Sequence, residues 1–141
     1  MLSGAAGNFL APISSLSPNA FRTVMEIDTI GTYNTIKATL SPVRNTRGAY
    51  VHISAPLHYR ATPYQAHVSA AKAAIDALSK VLAVEEGPRG VRSNVVAPGP
   101  IEGTEGKPAV YIRRCHSISG MFLQLTIPRD VTFVPPAASM F

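Results

Sequence analysis

The chain has 141 residues, of which 46% are hydrophobic and 15% charged, a balance typical of one globular domain rather than of a disordered chain. The formal net charge of +5 would suit an anionic ligand, but lysine and arginine are scattered, so nucleic-acid binding is not indicated. No apolar run approaches the roughly 20 residues of a membrane helix, and residues 1–9 lack the pattern of a signal peptide. We therefore predict a soluble protein that binds neither nucleic acid nor membrane.

The number of cysteines limits the kinds of protein to which the chain can belong. The single cysteine, Cys115, cannot form an internal disulfide and offers no cluster of metal ligands. Such usage is typical of a reducing, intracellular compartment. We interpret Cys115 as an ordinary thiol and predict no metal site.

The first strong helix signal is the pair Ser17 and Pro18, a hydroxyl N-cap followed by proline at the first helical position. The apolar residues that follow predict a helix from Pro18 to about Leu40, and Pro42 is expected to end it. Gly31 is an unusual glycine for the middle of a helix, and it would allow a close packing contact there.

The second half of the chain alternates between strand and helix. The run AYVHIS predicts a strand over 49–54, and a loop over 55–65 follows it. Apolar residues then recur at helical spacing until a Gly-Pro pair, which predicts a helix over 67–86. The run VRSNVVA predicts a strand over 91–97, and the glycines and prolines of 98–106 predict an irregular loop at its carboxyl end.

This order of elements predicts the fold class. Two strands joined by a helical crossover lie parallel, with a right-handed connection. A parallel sheet needs more strands than two and helices on both faces, yet residues 1–16 contain only the turn-like GAAG of 4–7 and are expected to supply no strand. We predict a partial doubly wound, Rossmann-type α/β sheet with flanking helices, lacking its first βαβ units, with ligands at the carboxyl ends of its strands.

Five short segments indicate a family. They are GAAGNF, LSPNAF, EIDTIGTYN, HVSAAKAAIDAL and APGPIEGTEG, in that order and spacing. Together they resemble the short-chain dehydrogenase/reductase superfamily, and within it the peroxisomal 2,4-dienoyl-CoA reductases, especially those of fungi. We therefore expect residues 1–106 to form the carboxyl-terminal part of such a domain and residues 107–141 to form a divergent tail.

The resemblance implies an unusual catalytic set. Most members of the superfamily use an asparagine, a serine, and a tyrosine four residues before a lysine. Here Asp28, Ala55 and Val68 stand at the first three positions, and only Lys72 is kept. Without the tyrosine acid, reduction of a ketone is disfavoured, because its oxygen must receive a proton. The 2,4-dienoyl-CoA reductases show the same loss, since their conjugated thioester needs a stabilised oxyanion and a proton delivered to carbon.

The same resemblance assigns roles to three polar residues. Lys72 would bind the nicotinamide ribose, and Asp28 would orient the water that donates the proton, so these two are the implied catalytic residues. Outside this family, both would be interpreted as solvated charges on helices. His67 adjoins the vacant tyrosine position, but a histidine at a helix N-terminus is more typical of a structural role.

Two further segments are implied to bind ligands. The loop after the second strand would cover the nicotinamide and diphosphate of NADPH, although a plain turn is the alternative. Besides Lys72, the implied cofactor residues are Pro98, Gly99, Pro100, Ile101 and Thr104. The implied acyl-CoA contacts are Phe9, Ser17, Pro18 and Asn19. For these four residues, helix capping and packing explain the sequence as well as ligand contact does.

Two features of the family are not found in the sequence. One is the Thr-Gly-x-x-x-Gly-x-Gly loop that holds the dinucleotide phosphate, and without it we expect no detectable NADPH binding by the isolated chain. The other is a peroxisomal Ser-Lys-Leu signal, since the given sequence ends in Ser-Met-Phe. The family resemblance nevertheless implies a peroxisomal enzyme, and a cytoplasmic location is the alternative.

Two functional hypotheses therefore stay open. In the first, the chain belongs to an NADPH-dependent reductase that converts 2,4-dienoyl-CoA to 3-enoyl-CoA in the β-oxidation of unsaturated fatty acids. In the second, it is a catalytically inactive fragment or isoform that associates with a full-length relative. The family implies that such association, or homo-oligomer formation, would use the helices 18–40 and 67–86.

Overall fold

A four-stranded sheet forms the centre of the fold. The computed structural model describes residues 1–99 and 122–124. The strands lie in chain order across the sheet: β1 (Leu2–Ser3), β2 (Ala49–Ile53), β3 (Arg92–Ala97) and β4 (Phe122–Gln124). The first three are parallel, and β4 runs antiparallel to β3. The predicted α/β fold with a parallel sheet and flanking helices is confirmed.

Strand β1 corrects the expectation that residues 1–16 supply no strand. Leu2 pairs with Val51 in parallel register, and the amino group of Met1 donates a hydrogen bond to the carbonyl of Ala49 at 2.7 Å. A strand of two residues is too short to carry a hydrophobic period. The strand is recognisable only from its pairing with β2, which lies nearly fifty residues further along the chain, and not from its own sequence.

The first predicted helix is interrupted in the middle. It consists of α1 (Pro18–Met25), a π-helical turn (Glu26–Ile30) and α2 (Gly31–Asn45). The expectation that Pro42 ends the helix is wrong, because this proline lies inside α2. Proline removes only one intrahelical donor, and its own carbonyl still accepts the backbone N–H of Thr46 at 3.3 Å, so the last turn of the helix persists.

The role expected for Gly31 is also wrong. A Cβ atom at this position would meet no side chain, and would lie 3.6 Å from the carbonyl oxygen of Glu26. Gly31 therefore does not mediate a close packing contact. It begins α2 directly after the π turn.

The longest helix, α4 (Ala66–Glu86), matches its predicted bounds to within one residue. The loop predicted over 55–65 contains a short helix, α3 (Leu57–Arg60), so that part of the prediction needs correction. After α4, a 3₁₀ turn over Gly87–Arg89 leads to Gly90, whose φ of 83° is the left-handed conformation that glycine adopts without strain.

Two clusters of buried apolar side chains join the helices to one another and to the sheet. The first consists of Ile36, Tyr50, Leu82 and Val91, and the second of Val24, Val68 and Ala71. Burial of one large apolar side chain contributes about 1.5–3 kcal/mol. The second cluster packs α1 against the start of α4 and so holds the first turns of α4 close to the π turn.

Candidate active site

Asp28 lies in the π turn and is fully buried. Its Oδ1 atom accepts a hydrogen bond from the backbone N–H of Gly7 at 2.9 Å, and its carbonyl accepts one from Oγ1 of Thr32 at 2.6 Å. A π turn adds one residue to a helical turn, and such insertions are frequent at functional sites. Here the insertion carries a buried carboxylate that faces the segment after β1.

Lys72 reaches the same carboxylate from α4. Its Nζ atom lies 3.1 Å from Oδ2 of Asp28 and donates a hydrogen bond to the carbonyl of Ile53 at 3.2 Å. The side chain of Lys72 is 6% exposed and that of Asp28 0%. Despite the short distance, Oδ2 makes no hydrogen bond of good geometry. The pair therefore keeps unused hydrogen-bonding capacity, because an ammonium carries three donors and a carboxylate oxygen two lone pairs.

The pair lies at the carboxyl end of β2, where the sheet ends. Ile53 is the last residue of this strand, and Ser54 follows it. The hydroxyl of Ser54 donates to the carbonyl of Lys72 at 3.3 Å, while its backbone N–H bonds to Val96 of β3 at 2.8 Å. In open α/β sheets, ligands bind outside the carboxyl ends of the strands. The buried ion pair is therefore a candidate active site.

The positions of the absent serine and tyrosine lie beside this pair. Ala55 follows Ser54, and Val68 is 3% exposed and packs against Val24 and Ala71. Neither side chain carries a proton that could be donated to an oxygen atom. The described part of the site therefore contains a lysine and a carboxylate but no phenol or hydroxyl at these two positions.

The loop predicted to bind the cofactor begins at the same edge of the sheet. Pro98 and Gly99 directly follow β3. A Cβ atom at Gly99 would meet no atom of residues 1–99 or 122–124 within 4 Å. Pro100, Ile101 and Thr104 lie outside the described residues.

The predicted acyl-CoA contacts fall into two groups. Ser17 caps α1, since its hydroxyl oxygen accepts the N–H of Ala20 at 3.1 Å, which confirms the N-cap. Pro18 is the first helical residue, and the carbonyl of Asn19 accepts Oγ1 of Thr23 at 3.0 Å. These bonds are internal to the start of α1, and none of the described hydrogen bonds links the three predicted residues to the buried ion pair. The fourth residue, Phe9, belongs to the other group.

Phe9 covers a histidine that the sequence did not single out for function. The rings of Phe9 and His67 stack with their centroids 4.3 Å apart and an interplanar angle of 25°. His67 is fully buried, and neither of its ring nitrogens makes a hydrogen bond of good geometry. Burial lowers the pKa of His67, and the backbone of Phe9 and the charge of Asp28 oppose this shift. The sequence signal was present, since His67 adjoins the vacant tyrosine position, but the stacking contact with Phe9 joins residues far apart in the chain.

A buried carboxylate fastens the loop between β2 and α4. Both Nε2 of His58 and the hydroxyl of Tyr59 lie 3.0 Å from Oδ2 of Asp76 in α4. Further along the same loop, the carbonyl of Tyr64 accepts the N–H of Ala11 at 3.0 Å. These contacts tie the segment that carries Phe9 to the loop over the start of α4.

The described residues limit two other kinds of site. Across residues 1–99 and 122–124, no helix is long and apolar enough to cross a membrane. In the same part of the chain, no group of three or more histidine, cysteine, aspartate or glutamate side chains is arranged to hold a metal ion.

Comparison with known proteins identifies the class. The sequence profile of the family described as enoyl-(acyl carrier protein) reductase matches residues 2–113. The chain belongs to this family of the short-chain dehydrogenase/reductase superfamily.

Two relatives with curated names are similar to most of the chain. The peroxisomal 2,4-dienoyl-CoA reductase of Saccharomyces cerevisiae is 53% identical over 106 residues, and that of Danio rerio is 57% identical over 107 residues. Each match covers 75% of this chain and 36% of the relative. The chain thus spans about a third of the length of these relatives, and both names specify the product as a (3E)-enoyl-CoA.

Solved structures show the same fold. A short chain dehydrogenase from Bacillus anthracis has a TM-score of 0.70 and 38% identity, over 74% of this chain and 44% of that one. A 4-hydroxyisoleucine dehydrogenase complexed with NADH and succinate has a TM-score of 0.67 over 76% of this chain and 51% of that one. At 23% identity, the second shows the fold alone.

Proposed function

We propose that this chain provides the active-site part of a peroxisomal, NADPH-dependent reductase that converts 2,4-dienoyl-CoA to 3-enoyl-CoA in the β-oxidation of unsaturated fatty acids. The observation that carries the proposal is the buried Asp28–Lys72 pair at the carboxyl end of the sheet, with no acid at positions 55 and 68. The names of the two relatives described above support the same substrate and location. Because the chain spans 36% of their length, the activity of the whole protein is part of the proposal.

The residues at the site fit a nicotinamide cofactor, which membership of the superfamily supports. Lys72 donates one described hydrogen bond, to Ile53, and so has donors left for ribose hydroxyl groups. Within the described part of the chain, no atom lies within 4 Å of a Cβ atom placed at Gly99. When bound, NADPH would supply the hydride. In our proposal it is held by Lys72 together with Pro98, Gly99, Pro100, Ile101 and Thr104.

The buried ion pair suits the remaining chemistry of the reaction. Hydride addition to the far carbon of a dienoyl thioester places negative charge on the thioester oxygen, and the positive charge of Lys72 would stabilise it. The free lone pairs on Oδ2 of Asp28 would hold a water molecule that delivers the proton to carbon. No tyrosine is needed, because the product keeps its carbonyl group. The acyl-CoA would lie against Phe9 and the start of α1 at Ser17, Pro18 and Asn19.

A hybrid enzyme tests this proposal. Residues 1–106 replace the matching segment of the Saccharomyces cerevisiae relative, and consumption of NADPH is followed with a 2,4-dienoyl-CoA and with a simple ketone. We expect reduction of the dienoyl-CoA only, and its loss in the Lys72→Met and Asp28→Asn variants. A folded hybrid that binds NADPH but leaves the dienoyl-CoA unchanged would contradict the proposal. Reduction of the ketone would instead indicate a carbonyl reductase.

A second candidate function rests on apolar side chains that the helices expose. Ile27, Ile30 and Tyr33 are 42–49% exposed along the π turn and α2, and Val81 and Val84 are 52% and 45% exposed on α4. Apolar patches on helices are typical of interfaces. The chain could therefore associate, without catalysis, with a second copy or with a longer relative.

Light scattering distinguishes this second candidate. The full chain is measured alone and mixed with the Saccharomyces cerevisiae relative, and the Val81→Asp/Val84→Asp variant is compared with the unchanged chain. A complex that the unchanged chain forms and the variant fails to form, together with an inactive hybrid enzyme, would favour the non-catalytic role. A chain that stays monomeric in both samples would exclude it.

A further inference from the structure

His67 is a buried polar side chain to which the proposed reaction gives no role. It is 0% exposed, yet neither Nδ1 nor Nε2 makes a hydrogen bond of good geometry. Most buried polar atoms in proteins have a partner, and a missing one destabilises the folded state. A phenylalanine or leucine would fill this place without unpaired nitrogen atoms. The backbone of Phe9 lies close enough to the ring to oppose the effect of burial on its pKa, so a ligand that takes the place of Phe9 would meet an imidazole with unused hydrogen-bonding capacity.

One face of the His67 ring is covered by the ring of Phe9. Phe9 stacks on the imidazole at 4.3 Å and is itself 39% exposed. Phe9 belongs to a segment without regular secondary structure, between β1 and α1. Because Phe9 lies outside the helices, it can change position without any change in them.

The position of His67 brings it to the reacting end of the site. It precedes Val68, which stands where the superfamily has its tyrosine, and it lies one turn and a residue before Lys72 on α4. The charge of Asp28 is close enough to act on it. Burial lowers the pKa of His67, so its ring is neutral at neutral pH and carries one N–H donor.

We propose that His67 donates a hydrogen bond to the thioester oxygen of the bound acyl-CoA when Phe9 moves aside, and that it thus replaces the donors absent at positions 55 and 68. This inference rests on the proposed function and adds a catalytic residue to it. A neutral imidazole is a suitable electrophile at an oxygen that becomes negative, because it stabilises the charge without giving up its proton.

The step balances without a further reactant. The δ-carbon gains hydride from NADPH, the diene electrons shift toward the carbonyl group, and the thioester oxygen becomes negative. The N–H of His67 bonds to that oxygen and stays intact. The α-carbon then takes a proton from the water at Asp28, and solvent replaces that proton, so one dienoyl thioester, one NADPH and one proton give one enoyl thioester and NADP⁺.

Nuclear magnetic resonance of the full chain, labelled with ¹⁵N at histidine and in the backbone, tests the inference by binding alone. The probe is 2,4-hexadienoyl-CoA without cofactor, so no turnover occurs. We expect the ring nitrogens of His67 to shift on titration. His52 is the internal control, because it is equally buried but its Nε2 atom already lies 3.2 Å from Oγ of Ser93, and its resonances should stay still.

Two variants separate hydrogen bonding from packing. His67→Phe keeps an aromatic ring against Phe9 but has no donor, and we expect its affinity for the probe to fall about fivefold, the effect of one lost hydrogen bond to an uncharged carbonyl oxygen. His67→Gln keeps an N–H donor without the ring and should recover part of that affinity. A packing role predicts the reverse order of the two variants.

The outcomes distinguish this inference from the proposed function. Shifts at His67 with the predicted order of variants support it. Shifts at the backbone of Phe9 or Lys72 but not at the His67 ring, or equal affinity in His67→Phe, would overturn the inference and leave the proposed function standing. No response anywhere in the chain, and none in the hybrid enzyme that carries residues 1–106, would overturn the proposed function, and this inference with it.

Discussion

Helix α4 carries one buried charged residue of an ion pair near each end, and the two pairs differ in how many hydrogen bonds their atoms make. At the carboxyl end, Glu86 accepts hydrogen bonds from Nε of Arg44 at 2.6 Å and from its Nη2 at 2.5 Å. Near the start, Lys72 and Asp28 approach to 3.1 Å, and Oδ2 of the carboxylate has no hydrogen bond.

The exposure of the cations explains the difference. The Arg44 side chain is 39% exposed and keeps much of its hydration, whereas that of Lys72 is 6% exposed. Desolvation of two charges is offset only where geometry and additional hydrogen bonds are good. The pair at Glu86 meets that condition and ties α2 to α4. The pair at Lys72 does not, and in the proposed function its unused atoms bind the cofactor and a water molecule.

The largest predicted effect comes from breaking the pair near the start of α4. Lys72→Met leaves the Asp28 carboxylate buried without a countercharge, and we expect the free energy of unfolding to fall by about 3–5 kcal/mol. Urea denaturation of the full chain measures this. The control is the double variant Lys72→Met/Asp28→Leu, in which no charge stays buried, so most of the stability should return. A single variant as stable as the double one would show that the pair is not desolvated.

The second prediction concerns how the stability of the protein depends on pH through its two buried histidines, one with a hydrogen bond and one without. Burial lowers the pKa of both His52 and His67 below the ordinary 6.5, aided at His52 by the positive amino terminus. The unfolded state therefore binds protons more readily, so stability is full above pH 6.5 and falls as the pH drops below it.

Urea midpoints measured on both sides of pH 6.5 check this dependence. His67→Phe should reduce the slope, since one of the two groups no longer titrates. An unchanged slope in His67→Phe would mean that His67 is protonated in the folded state.

The third prediction concerns the well-bonded pair at the other end of α4. Hydrogen bonds from Arg44 lower the pKa of Glu86 below the ordinary 4.5, against the effect of burial. Its contribution to stability is therefore present above pH 4.5 and is lost as the pH falls through the folded-state pKa. Glu86→Gln should weaken this acid dependence and leave the binding of an acyl-CoA unchanged. Loss of ligand binding in this variant would show that the two ends of α4 are not independent.

The smallest effect is expected at the start of α1. Ser17→Ala removes the N-cap bond to Ala20 and should lower the free energy of unfolding by about 0.5–1 kcal/mol. Ser14→Ala, at a neighbouring exposed serine outside the helix, is the matched control. A further loss of acyl-CoA affinity in Ser17→Ala alone would indicate that this hydroxyl also contacts the substrate.

Elements with a long periodic pattern could be predicted from the sequence, and short or irregular ones could not. The bounds of α4 follow from apolar spacing and a Gly-Pro stop, and β2 and β3 from β-branched runs. Strand β1 exists only through its pairing with β2, and α3 has four residues, so neither carries a period. The prediction that Pro42 ends the helix was wrong because a proline near the end of a helix removes only one hydrogen bond.

The site shows a similar division. Family resemblance pointed to Asp28 and Lys72, which the structure brings together from two helices. The hydrogen bond from the backbone N–H of Gly7 to Asp28 joins residues 21 positions apart. It could not be predicted, because every residue except proline has a backbone N–H. The covering of His67 by Phe9 joins residues almost sixty positions apart, so the isolated histidine was interpreted as structural.

The position of the Asp28 carboxylate depends on the number of residues in the π turn at Glu26–Ile30. An α-helix turns by about 100° per residue, so deletion of one residue from this turn would leave a regular helix whose two halves keep their apolar faces in register with the core. Asp28 alone would lose its bulge and its contact with Lys72. A change of one residue in the length of this turn would thus make or break the contact between the carboxylate and Lys72. It would require no substitution at the site and would disturb the packed helices on either side very little.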